Sequence, residues 1–108
     1  MSWDISISPL PDDEDYQGHE VGNYTWNVGP MYREAIPGWN GFNEWHGLRC
    51  EDVADRLLQG IIAMRQNPEK YRKLNPSNGW GNYEGALQFL EKIEAACRKW
   101  PHLYLQVS

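Results

Sequence analysis

Gly79, Gly81 and Gly85 in the stretch NPSNGWGNYEG precede a helix-like run. Glycine loops that open onto a helix N-terminus are a recurrent way to hold phosphate, because free backbone amides and the helix dipole both favour an anion. The spacing G-x-G-x-x-x-G is one residue longer than the dinucleotide fingerprint, the preceding RKLNPSN is not a strand, and Glu84 in the first turn opposes an anion. Stacking remains: Trp80 or Tyr83 against a planar base, with Arg72 or Lys73 reaching its phosphates and the 37–48 loop closing the site. The plainer alternative has Asn82 capping the last helix and Trp80 folded back over the helix junction, and that packing is the expectation for Trp80.

A second group, His46, Cys50, Cys97 and His102, has the spacings H-x3-C and C-x4-H. Antiparallel helices would bring all four to one end of the domain, where zinc accepts such ligands. Structural zinc sites more often pair Cys with Cys and His with His at short range, so buried free thiols are the expected state and no cofactor is expected. Glu51 and Asp55 stand one helical turn apart beside Asp52, but acids at a helix start already complement its dipole. The three histidines lack a family-like spacing with Ser, Cys or Asp, and no G-x-S-x-G elbow is present, so the chain reads as non-enzymatic.

Protein binding has better material. Trp, Tyr and Arg dominate binding hot spots, and Met31, Tyr32, Arg33, Trp39, Phe42 and Trp45 fall within fifteen positions. Glycine and asparagine supply turns in PGWNGFNEWHGL, residues 37 to 48, which suggests an aromatic loop surface. The same rings could instead cover the sheet edge or the helix pair.

Charge narrows the partners. The net charge is -5, and residues 1 to 20 hold six acids and no Lys or Arg, against nine acids and ten bases in residues 21 to 108. Unspecific nucleic-acid binding needs an excess of Lys and Arg, which is absent. The acidic run Asp12 to Asp15 lies between prolines and Gly18, so residues 9–20 are expected to form an exposed acidic loop. No apolar run approaches the roughly 20 residues that span a bilayer, and MSWDISIS lacks the pattern of a signal peptide, so a cytoplasmic protein without a membrane partner is expected. Two cysteines 47 positions apart make no disulfide framework.

The positioning elements follow from periodicity. Trp3, Ile5 and Ile7, then Tyr24, Trp26 and Val28, then Leu103, Leu105 and Val107 alternate with polar residues as half-buried strands do. Val53, Leu57, Ile61 and Met64 give the 51–66 segment a helical stripe. Asn67-Pro68-Glu69 starts a short helix to about Lys73. Ala86, Leu90, Ile93, Cys97 and Trp100 stripe a third helix over 83–99, which Pro101 ends. The 108 residues suit one domain, an α+β fold with a small antiparallel or mixed sheet of about three strands and two antiparallel helices, plus the short one, on one face.

In NYTWNVGPMYREA, in the GL ahead of the first helix, in NPEKYRKLNPSNGWGNYEGALQFL and in the closing VS, the chain resembles a family of small, uncharacterised bacterial and phage proteins. That resemblance implies a stand-alone cytosolic domain of phage or prophage settings and assigns no residue a role. Cys50 stands where a threonine N-cap is usual in that family. The expected function is binding of a host protein, as in an anti-defence inhibitor, through Tyr32, Arg33, Trp39, Phe42, Trp45, Trp80 and Tyr83. The alternative is sequestration of a nucleotide-like ligand, for which a homo-oligomer interface is one setting; an enzyme without a recognisable motif comes third.

Overall fold

The computed structural model describes residues 1–13 and 18–108. Strand β1 (Ser2–Ser8) lies between β2 (His19–Thr25) and β3 (Tyr104–Val107), antiparallel to both. The register sets Trp3 opposite Tyr24, Ile5 opposite Val107 and Ile7 opposite Leu105, so the apolar sets of all three strands share one face. Asp4 on the other face is exposed.

Helices α2 (Cys50–Gln66) and α4 (Tyr83–Lys99) cover the apolar face, with Phe89 of α4 against the Tyr24 ring of β2. They run antiparallel. The Tyr83 hydroxyl at the start of α4 donates to the Met64 carbonyl near the end of α2, at 2.7 Å. At the opposite end, the Cys50 and Glu51 amides of α2 donate to the Leu103 and Pro101 carbonyls just beyond α4. The short helix α3 (Pro68–Arg72) links the pair, as its Asn-Pro start predicts.

The alternating strand expected over 23–28 stops at Thr25, and a further helix, α1 (Gly29–Ala35), follows it. The Thr25 hydroxyl accepts hydrogen bonds from the amide and side chain of Asn27, which ends the strand and turns Trp26–Val28 into a 3-10 turn. Gly29-Pro30 then opens α1, with Met31, Tyr32 and Ala35 on its buried side. Val28 is buried, but Trp26 leaves the strand face and is 41% exposed.

The acidic segment also differs from a uniformly exposed loop. Asp13 is buried: its carboxylate accepts from the Ser8 hydroxyl at 2.8 Å and its amide donates to Gln106 Oε1 at 3.0 Å. Such partners make burial of a charge tolerable. His19 and Glu20 already belong to β2, while Glu14 and Asp15 lie outside the described residues.

Gly60 is buried in α2, where a Cβ would sit 2.6 Å from Ile36 Cγ1. Alanine normally stabilises a helix interior relative to glycine by ~1 kcal/mol, but overpacking costs about 1–3 kcal/mol. Gly60→Ala should therefore lower the urea midpoint with an unchanged m-value, the reverse of its effect in an exposed helix.

Candidate functional site

The aromatic segment expected to form a docking surface turns inward. Tyr32, Trp39, Phe42 and Trp45 are each at most 3% exposed, and only Arg33 of that set faces solvent. Phe42 lies in a 3-10 turn (Phe42–Trp45) at the centre of a ring cluster, with centroids 5.1 Å from Trp3, 5.4 Å from Tyr32, 5.3 Å from Trp39, 5.4 Å from Trp45 and 6.0 Å from Phe89. All five pairs are T-shaped, an arrangement favoured by the ring quadrupole. Arg56 of α2 holds the segment from outside by donating to the Pro37 carbonyl at 2.7 Å and covering the Trp45 ring. Tyr32 donates to the Ala86 carbonyl at 2.9 Å, and burial pushes its hydroxyl well above its ordinary titration range. A partner cannot touch these rings without opening the core.

Around Gly79, Gly81 and Gly85 the glycines serve packing. A Cβ on Gly81 would stand 2.6 Å from Thr25 Cγ2, and one on Gly85 would overlap the Tyr24 ring and hydroxyl. Both residues thus let β2 approach the start of α4 closely, and Gly81 additionally has a φ of 93°. The amides that would attract phosphate are occupied. The Asn75 side chain accepts from the Tyr83 amide at 2.9 Å, Asn82 caps by accepting from the Gly85 amide at 2.7 Å, and Tyr24 accepts from the Asn82 amide at 3.1 Å. Glu84 accepts from its own amide and from Arg72, which together hold its carboxyl below the usual range.

Tyr83, a stacking candidate in the alternative ligand reading, is 5% exposed, and the Arg72 guanidinium lies 5.0 Å over its ring. Arg72 also bonds both Glu69 and Glu84. The base-stacking arrangement of Trp80, Tyr83, Arg72 and the 37–48 loop is therefore not assembled.

Trp80 also departs from expectation, in the opposite sense. Instead of folding over the helix junction it is 67% exposed. Its amide donates to Asn78 Oδ1 at 3.0 Å, and Gly79 and Gly81 on either side adopt positive φ, so the turn aims the indole outward. The ring flanks an open groove of about 690 Å³, whose walls include Asn23, Tyr24, Asn27, Asn78 and Asn82.

The metal candidates do not converge. Cys50 and Cys97 are buried free thiols in contact; a hydrogen bond from Cys97 lowers the Cys50 pKa, and the same bond together with burial raises that of Cys97. His46 accepts from the Val107 amide at Nδ1 (3.0 Å) and meets Asp12 through Nε2 (3.4 Å), whereas His102 contacts Glu51 at 3.1 Å. No group of three or more metal-ligating side chains gathers among the described residues. Of the acids on α2, Glu51 is also 3.7 Å from Arg49, and Asp55 is exposed. No helix among the described residues is long and apolar enough to cross a membrane.

Stability should separate the two kinds of aromatic. Phe42→Ala should cost about 3–5 kcal/mol by opening a cavity in the ring cluster, and Trp80→Ala should change stability by less than about 0.5 kcal/mol, both measured by urea denaturation. Comparable losses at the two positions would contradict the inward and outward assignments.

Comparison of the chain with protein-family models, with curated proteins and with solved structures returns no match.

Proposed function

We propose that this chain is a non-enzymatic binding protein of phage or prophage type that acts by occupying a host component, as an anti-defence inhibitor would. The observation that carries this reading is Trp80, a large apolar side chain kept in solvent by a hydrogen-bonded turn. An indole without a packing role offers a partner much contact area, and because the turn already fixes its backbone, less ordering entropy is lost on binding. The resemblance to small phage proteins supplies the biological class. The docking surface is accordingly the 75–82 turn and the neighbouring groove, in place of the 37–48 loop.

Sequestration of a small molecule is a second reading, favoured by the groove's volume of about 690 Å³, which falls within the ~300–1,000 Å³ of ligand sites. The nucleotide form of it is disfavoured, because no Lys or Arg side chain is among the described residues that line the groove to meet phosphate.

Capture from host lysate on immobilised protein, repeated with Trp80→Ala, tests the leading reading. The variant should lose the retained component, and its Kd for that purified component should rise about tenfold or more while the melting temperature holds. Equal recovery and equal Kd would remove the Trp80 surface from consideration.

A further inference from the structure

We infer that the groove beside Trp80 is a subsite for an uncharged carbohydrate, an inference that rests on the binding reading above and names the chemistry of what is bound. Asn23, Asn27, Asn78 and Asn82 line it together with Tyr24 and Trp80. No Asp, Glu, Lys or Arg side chain is among its described walls. That combination is selective. A phosphorylated ligand needs cations, and a lipid needs a continuous apolar wall. Here the described walls beside Trp80 are mostly Asn, Ser and Thr, and Met1 and Tyr24 are the other large apolar residues.

A sugar ring has the complementary surface: one face of C–H groups, slightly positive, and a rim of hydroxyls that each donate and accept. The C–H face suits the electron-rich face of an indole, whose quadrupole attracts positive edges. The hydroxyl rim suits carboxamides, which present a donor and an acceptor side by side.

The hydrogen-bond inventory shows which amides are available. Asn78 is spent on holding the turn, since its Oδ1 accepts from the Trp80 amide and its Nδ2 donates to Asn27 Oδ1 at 3.4 Å. Asn27 Nδ2 donates to the Thr25 hydroxyl at 2.8 Å. Asn82 uses Oδ1 for its helix cap but makes no hydrogen bond through Nδ2, and the Asn23 side chain makes none at all among the described residues. Asn27 and Asn78 are thus the frame, and Asn23 and Asn82 are the groups left to meet hydroxyls. Neutral donors and acceptors in water contribute modestly, so stacking on Trp80 carries most of the affinity and the amides carry selectivity.

Isothermal titration of the full chain with three uncharged tetrasaccharides, of β-1,4-linked glucose, α-1,4-linked glucose and β-1,4-linked N-acetylglucosamine, tests this directly. At least one should bind with a Kd in the range of about 0.01–1 mM; Trp80→Ala should weaken it about tenfold, Trp80→Phe should restore part of the loss, and Asn23→Ala should weaken it about threefold. Absence of binding by all three up to about 10 mM overturns the inference, as does binding that Trp80→Ala and Asn23→Ala leave unchanged. A host component captured through Trp80 but unable to bind as a sugar would overturn the carbohydrate assignment alone. Loss of both sugar binding and Trp80-dependent capture would overturn the binding reading as well.

Discussion

The fold depends on the set of ring contacts centred on Phe42. Three strands covered by one layer of helices enclose little volume, and the 37–48 segment fills it with Trp39, Phe42 and Trp45 instead of passing over it as a surface connection. Because T-shaped ring pairs are directional, Phe42 fixes the positions of Trp3 on β1, Tyr32 on α1 and Phe89 on α4 relative to one another. The cost is visible at Trp39, whose indole N–H is buried without an oxygen or nitrogen partner among the described residues. Its ring pairs with Trp3, Tyr32 and Phe42 are all T-shaped, the geometry in which an edge can meet a π face.

Elements whose own periodicity decides their structure were legible from sequence. The 83–99 helix has an apolar stripe and an Asn82 cap that do not depend on distant contacts, and its observed bounds are Tyr83–Lys99. The alternation in WDISIS likewise determines which face of β1 is buried. Trp26 shows where alternation misleads. Thr25 and Asn27 form a local side-chain bond that outcompetes the next strand pairing, and T-x-N followed by Gly-Pro is the signal that could have revealed both the turn and α1.

The candidate surface was less legible, because composition identifies an aromatic but not the direction it faces. Trp39 and Trp80 both sit beside glycines and asparagines in the sequence. One packs inward against Trp3, Tyr32 and Phe42, and the other is turned outward by the bond from its amide to Asn78 between two positive-φ glycines. Likewise the glycine spacing that suggested a phosphate loop reflects close approach of β2 to α4, which no local pattern encodes. Asn75, Asn78 and Asn82 divide the turn's hydrogen bonding so completely that Trp80 is released from any structural duty.

The register of the sheet bears on how the molecule is made. Ile5 pairs with Val107 and Asp4 exchanges backbone bonds with Ser108, so the middle strand obtains one of its two neighbours from the far end of the sequence. Closing so long a loop is entropically costly and places this step late, after the local hairpin of β1 with β2 and the α2–α4 pair. Until then Ile5 and Ile7 present an unpaired backbone edge and an incompletely covered apolar face, the features that draw chains into intermolecular pairing. For a chain leaving the ribosome, the interval before β3 emerges is therefore the one most exposed to aggregation.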